Sequence, residues 1–171
     1  DGHGSLNAPN ATVKATEIVF RAVLFAANQV WSACASTRNV TCYQDDLLPL
    51  LRGGLEFYRT TPSDLNQTTR PPLGPSKPAV YHDDAGRMHM RMTAYSAGSK
   101  ATDGQGYLTD ASEHLAILMW ACGTFAESNA VLGMPNNASD PLLPFCADVR
   151  ANLVSPPISS KHGELISGDG Y

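Results

Sequence analysis

The longest apolar stretch of the chain runs over 11–35 and contains neither glycine nor proline. Its apolar residues recur at helical spacing around most of the circumference, which predicts a central, buried helix. Polar side chains interrupt the stretch at Lys14, Glu17, Arg21 and Asn28. Because a membrane span needs roughly 20 near-continuous apolar residues, this segment is predicted to be a core helix.

A second helix is predicted after the polar segment that follows the first. Asp45 or Asp46 can cap its start, and Pro49 then falls in the first turn, where proline is tolerated. Gly53 and Gly54 lie in its middle, where two glycines cost about 2 kcal/mol of helix propensity. The pair therefore indicates either a kink or a point where another backbone comes close.

The third helix is predicted over 111–132 and a short fourth helix over 145–153. Asp110 and Glu113 have the spacing of a capping box at the start of the third helix. His114 follows directly in the first helical turn, and we expect it to be exposed and inert.

Between the second and third predicted helices, the spacing of apolar residues changes from a helical period to strict alternation. After an Asp-Asp-Ala-Gly turn at 83–86, methionines alternate with polar residues from Met88 onward. This pattern predicts a β-hairpin over 79–95. A lone hairpin is only marginally stable in water, so its methionine face must pack on the helices or on a partner.

Together these elements predict a mainly α (α+β) fold, a disulfide-stapled bundle of three to four helices with one β-hairpin and long Pro/Gly-rich loops. Residues 1–10 are predicted to form a flexible N-terminal arm, 11–154 a single globular helical domain, and 155–171 an extended C-terminal tail. A chain of 171 residues can bury about 70% of its unfolded surface.

Composition narrows the class of partner. The formal net charge is −4 with 16% charged residues, and no Lys/Arg cluster provides a footprint for nucleic acid or an anionic membrane. No membrane insertion and no cofactor are expected. The chain begins at Asp1 without a charged and apolar leader, as we expect of a mature secreted protein.

An even number of cysteines, 4 in this chain, is typical of an oxidising compartment and predicts two disulfides. We favour local pairing, Cys34 with Cys42 and Cys122 with Cys146. The rival connectivity joins Cys34 to Cys146 and Cys42 to Cys122.

Asn-x-Ser/Thr triplets are more frequent than chance predicts, and none has proline in the middle. Such triplets accept N-linked glycans in the secretory pathway, although Asn/Ser/Thr clusters also mark ordinary caps and turns. The candidate glycosylation sites are Asn10, Asn39, Asn66 and Asn137. With the cysteines, they predict a secreted or cell-surface protein.

The hairpin also holds the densest cluster of polar side chains. Imidazole and carboxylate groups at His82, Asp83, Asp84 and His89 have the chemistry of metal ligands. The same residues are ordinary turn chemistry, however.

The sequence contains no GxSxG elbow and no Ser-x-x-Lys motif. It therefore favours a non-catalytic recognition or assembly module that binds a protein or glycan partner, or a copy of itself, through the hairpin and tails. The candidate binding surface combines residue types enriched at interfaces, namely Tyr81, Arg87, His89, Arg91 and Tyr95. One alternative is a small secreted hydrolase with its site between the hairpin and the third helix. Another is a helical carrier of a small apolar ligand.

Overall fold

A computed structural model gives the structure of most of the chain. The described residues are 9–60, 78–93, 107–134 and 139–156. Their side chains are described except at 9–22, 92–93 and 107–108. Most of the predicted N-terminal arm and C-terminal tail therefore lies outside the described residues.

The elements follow the predicted order, with one π-helical segment and one extra strand. They are α1 (Pro9–Thr37), the π-helical segment (Cys42–Leu47), α2 (Leu48–Thr60), β1 (Val80–His82), β2 (Met88–Thr93), β3 (Tyr107–Thr109), α3 (Ser112–Val131) and α4 (Leu142–Asn152). The predicted mainly α (α+β) fold with an antiparallel hairpin is confirmed. Among the described helices, none combines the length and the hydrophobicity that a membrane-spanning segment needs.

At the glycine pair the sequence predicted a kink or the close approach of another backbone, and the structure places a side chain against Gly54 instead. A Cβ atom added to Gly54 would lie 2.5 Å from Cδ2 of Leu24, a fully buried side chain of α1. The neighbour is thus a side chain of α1, and the absence of a Cβ lets α1 and α2 pack closely. Gly53 has open space at the same position.

The connection between α1 and α2 is shorter than the sequence suggested. Arg38 takes a left-handed conformation with φ 52°, and Asn39 Oδ1 then accepts hydrogen bonds from the backbone N–H groups of Thr41 and Cys42, at 3.0 and 3.4 Å. The prediction that Asp45 or Asp46 caps this helix is therefore wrong, because the chain is already helical before it reaches them.

A disulfide joins Cys34, at the end of α1, to Cys42. This confirms the predicted local pair and excludes the rival connectivity. The second predicted pair, Cys122 on α3 and Cys146 on α4, is not bonded in the structure, where both residues are buried thiols.

Helix α3 has about its predicted length and lies at the centre of the bundle, in contact with α1, α2 and α4. The prediction that the helix over 11–35 is the central one is therefore wrong, and its described part carries exposed side chains such as Phe25. Gly133, with φ 60°, follows the end of α3. His114 is only 3% exposed, so the prediction of an exposed His114 is wrong. The reason is that α3 packs against both α2 and α4, which widens its buried arc beyond the apolar stripe.

Arg52 fastens α2 to the segment that precedes α4. Its guanidinium lies 2.6 Å from the Asp140 carboxylate and 5.1 Å above the centroid of the Phe125 ring. One side chain of α2 thereby contacts α3 and the start of α4 together.

The sheet has the order β1-β2-β3 and is antiparallel throughout. Met88 and Met90 of β2 are 2% and 1% exposed and belong to the same core as the helices. The predicted packing of the methionine face on the helices is confirmed for these two residues. Met88, the first residue of β2, also forms an isolated β-bridge with Leu153, the residue that follows α4.

The two glycines of α2 should respond oppositely to alanine. We expect Gly53→Ala to raise the free energy of unfolding by about 0.5–1 kcal/mol, since alanine favours the helix and meets open space. Gly54→Ala gains the same propensity but must displace buried Leu24, and overpacking of about 1–3 kcal/mol should leave it roughly 1 kcal/mol less stable than the wild type. Urea unfolding of both variants measures the difference. Equal stabilisation by the two substitutions would contradict the close α1–α2 contact.

Candidate recognition surface on the sheet

The sheet presents a polar face opposite its buried methionines. Side chains alternate between faces along a strand, so Tyr81, His89 and Arg91 share the face that Met88 and Met90 do not use. Tyr81 and His89 are direct cross-strand partners. Their rings stack with centroids 5.7 Å apart and an interplanar angle of 24°.

The Asp83 carboxylate organises the turn between β1 and β2. Its Oδ1 accepts the backbone N–H groups of Ala85 and Arg87, at 2.9 and 2.8 Å. Its Oδ2 accepts the Arg87 Nε–H at 2.8 Å. Gly86 takes φ 77°, a left-handed conformation that glycine adopts without strain. The turn is thus built around one carboxylate.

Asp110 joins the end of β3 to the centre of β2. Its backbone N–H donates to the Met90 carbonyl at 2.7 Å, and its Oδ1 accepts the Met90 N–H at 2.9 Å. The residue itself has φ 54°, which turns the chain out of the sheet and toward α3. The predicted capping box is therefore wrong: the N-cap of α3 is Ala111, and the Asp110 carboxylate serves the strand.

His89 lies between the two carboxylates. Its Nδ1 is 2.6 Å from Asp110 Oδ2 and its Nε2 is 3.2 Å from Asp83 Oδ2. An ionised carboxylate only accepts hydrogen bonds, so both contacts are satisfied together when both ring nitrogens carry protons. The arrangement selects the imidazolium form, and we call these three residues the Asp–His–Asp clamp.

The clamp shifts the pKa values of His89 and Asp83 in the directions that this charge pattern requires. Burial opposes the charged imidazole, but the hydrogen bonds and negative charges of Asp110 and Asp83 outweigh burial and raise the pKa of His89 above its usual value. For Asp83, desolvation works against the charge, while hydrogen bonds from Arg87, His89 and Ala85 prevail and hold its pKa well below the ordinary range.

We compared the chain with known protein families, with curated proteins and with solved structures. None matches. Its function has therefore to be argued from the arrangement of its own residues.

The structure brings four of the predicted surface residues to one region. Tyr81, His89 and Arg91 lie on the outer face, and the Arg87 side chain, 66% exposed, projects from the turn beside them. His89 is only 17% exposed. It therefore supports the neighbouring side chains of this surface and contributes little exposed area of its own. Tyr95 lies outside the described residues.

The candidate metal ligands do not converge on one point. His82 pairs with Met88 and so faces away from His89, and its Nε2 is 3.2 Å from Asp148 Oδ1 on α4. Asp84 is exposed in the turn. Within the described part of the chain, no group of three or more His, Cys, Asp or Glu side chains is arranged to hold a metal ion.

The candidate glycosylation sites are placed unevenly. Asn39 is exposed and stands at the start of a helical segment, and Asn10 lies in the first turn of α1. Asn66 and Asn137 lie outside the described residues.

Two contacts of this region were not predicted from the sequence, namely those of Asp110 with β2 and His89 and that of Asp148 with His82. Asp110 precedes a helix and therefore has the pattern of a cap, and Asp148 has the pattern of a solvent-facing helical residue. The strand-forming residue types at 107–109 were the available signal for a strand ending at Asp110, but three residues are too few to separate a strand from a loop.

Stability should depend on pH through His89. Because its pKa is higher in the folded than in the unfolded protein, the imidazolium contributes stability that is complete below about pH 6.5 and is lost as the pH rises through the folded-state pKa. We expect His89→Gln to lower the free energy of unfolding by about 2 kcal/mol at acidic pH and to flatten the decline above pH ~6.5.

Urea unfolding at a series of pH values makes this measurement. The control is His82→Gln, which alters the partly exposed contact with Asp148 and leaves the clamp intact. If wild type and His89→Gln lose stability in parallel as the pH rises, the clamp does not depend on the imidazolium.

Proposed function

We propose that this protein is a secreted or cell-surface recognition or assembly module that contacts another protein through the outer sheet face. The outer sheet face is the surface formed by Tyr81, Arg87 and Arg91 over the Asp–His–Asp clamp. The favoured partner is a second copy of the chain or another protein of the extracellular space, and the proposed role is non-catalytic.

The observation that carries this proposal is the preorganisation of the polar face. Met88 and Met90 anchor β2 in the core, while Asp83 and Asp110 hold His89 from both sides. A surface that is already fixed loses little side-chain and loop entropy on binding. Tyrosine and arginine are also the residue types that dominate binding energy at protein interfaces.

The same geometry disfavours the hydrolase alternative. A general base needs a ring nitrogen within reach of the proton that it removes. Both nitrogens of His89, the histidine of the clamp on β2, are directed at carboxylates. Using His89 in catalysis would require one of these contacts to break.

Two features support an extracellular location. The Cys34–Cys42 disulfide is typical of oxidising compartments. Asn39, in an Asn-x-Thr triplet, is exposed and uses its Oδ1 as a helix cap. A glycan is attached to Nδ2 of asparagine, so Asn39 can carry a glycan and keep its cap.

Self-association is the first form of the proposal to test. Light scattering of the glycosylated protein, before and after enzymatic removal of N-glycans, should give a mass above that of one 18.2 kDa chain plus its sugars. We expect Arg87→Ala to weaken association about thirtyfold, because loss of an interface hot spot costs about 2 kcal/mol. Arg150→Ala, at an exposed arginine of α4, should leave it unchanged. Equal weakening by both would overturn the assignment of the interface.

If the protein is a monomer, a partner other than itself must occupy the face. A photoreactive amino acid placed at Arg87 in the producing cells should then form a crosslink to one protein species, whereas the same group at Arg150 should not. Crosslinks at neither position, or equally at both, would refute a binding role for this surface.

Glycosylation at Asn39 can be separated from its capping role. Thr41→Ala removes the acceptor triplet but keeps the cap, and we expect a secreted product without a glycan at Asn39 and with nearly wild-type stability. Asn39→Ala removes both the acceptor triplet and the cap, and its free energy of unfolding should be about 1 kcal/mol lower than that of Thr41→Ala. Peptide mapping before and after enzymatic deglycosylation identifies the modified residue. An unmodified Asn39 in secreted wild-type protein would exclude this site.

A further inference from the structure

The buried thiols of Cys122 and Cys146 meet where α3 packs on α4. They are 0% and 2% exposed and belong to the same hydrophobic core. The two side chains are hydrogen-bonding neighbours. The interior of the helical layer thus holds a dithiol pair whose two members come from different helices.

From this juxtaposition we infer that Cys122 and Cys146 form a second disulfide, a covalent modification of the core that is independent of the outer sheet face. The Cys34–Cys42 bond of the same chain supplies the first argument. A compartment that oxidises that pair also exposes the nascent α3–α4 pair to oxidant. The second argument is the contact itself, since no other described cysteine remains as a partner for either thiol.

The chemistry requires the bond to form during folding. Exchange proceeds through the thiolate, and in the folded protein the hydrogen bond that the Cys122 thiol donates to Cys146, together with the burial of the group, raises the pKa of Cys122 far above its usual value. The thiolate is therefore scarce once the core has closed. Oxidation must take place while α3 and α4 are still accessible, and the finished bond is then shielded from reductants.

The reaction balances with an oxidised thiol–disulfide oxidoreductase or glutathione disulfide as the oxidant. The Cys122 thiolate attacks one sulfur of the oxidant and displaces the other as a thiolate, which leaves a mixed disulfide. The Cys146 thiolate then attacks Cys122 sulfur and releases the second oxidant thiolate. The two thiols of the chain lose two protons and two electrons, and the oxidant leaves as its reduced dithiol or as two molecules of glutathione.

A Cys122–Cys146 disulfide would also affect the hairpin, because α4 and the segment after it contact the hairpin. Directly after α4, Val154 N–H donates to the Met88 carbonyl at 3.0 Å, and Asp148 of α4 is 3.2 Å from His82. A disulfide between α3 and α4 therefore also restrains the support under the hairpin.

Peptide mapping without reduction tests the inference. Secreted protein is unfolded in guanidinium with an alkylating agent and digested with trypsin and glutamyl endopeptidase. Arg38 lies between Cys34 and Cys42, and Glu127 lies between Cys122 and Cys146, so cleavage separates the members of both pairs. We expect the Cys122 and Cys146 peptides to be recovered linked to each other and not alkylated.

Protein refolded in a glutathione redox buffer is mapped in the same way, with the Cys34–Cys42 peptides as the built-in control. Alkylation of Cys122 and Cys146 beside a linked Cys34–Cys42 pair would overturn the inference. Alkylation of all four cysteines, or a link from Cys122 to any cysteine other than Cys146, would overturn it as well. A Cys34→Ser/Cys42→Ser variant should retain the α3–α4 link, which shows that the second bond forms without the first.

Discussion

The contact between Asp110 and the middle of β2 joins the sheet to the helical layer. Its backbone and one carboxylate oxygen pair with Met90, while the other oxygen holds His89. His89 in turn contacts Asp83, whose carboxylate shapes the hairpin turn. A carboxylate that replaces a backbone acceptor in this way lets the chain leave the sheet without an unpaired N–H group. The position of the whole polar face thus depends on where β3 ends and α3 begins.

The helical layer supports this face from beneath and from one side. Gly54 allows α1 and α2 to approach closely, and Arg52 links α2 to Asp140 and Phe125. Helix α4 contacts the hairpin through Asp148 and then through the Leu153 bridge. The methionines of β2 bring soft, adaptable side chains to the junction, so helices of different orientation can share one core with a small sheet.

Elements that are long or strictly periodic were predicted correctly from their own residues. The apolar residues of α1, α3 and the hairpin recur with the period of a helix or a strand, so each element could be predicted from its own residues. Cys34 and Cys42 have a sequence separation of 8, which favours a local disulfide. Features set by contacts between distant segments were missed. Asp110 before a helix has the pattern of an N-cap, and only its pairing with Met90 distinguishes the two roles. His114 is buried because α2 and α4 flank α3. The spacing of apolar residues along α3 does not show which helices surround it.

The placement of β2 has a consequence for biosynthesis. Its neighbours are β1, β3 and the segment at Leu153 and Val154, so one strand gathers partners from across the last half of the described chain. The ladder at Met88 cannot be completed until residues beyond α4 have left the ribosome, whereas α1 and α2 join through a short turn and a nearby disulfide. Until then Met88 lacks the partners that Leu153 and Val154 provide, and the newly made chain passes through a stage at which this edge of the sheet is incomplete.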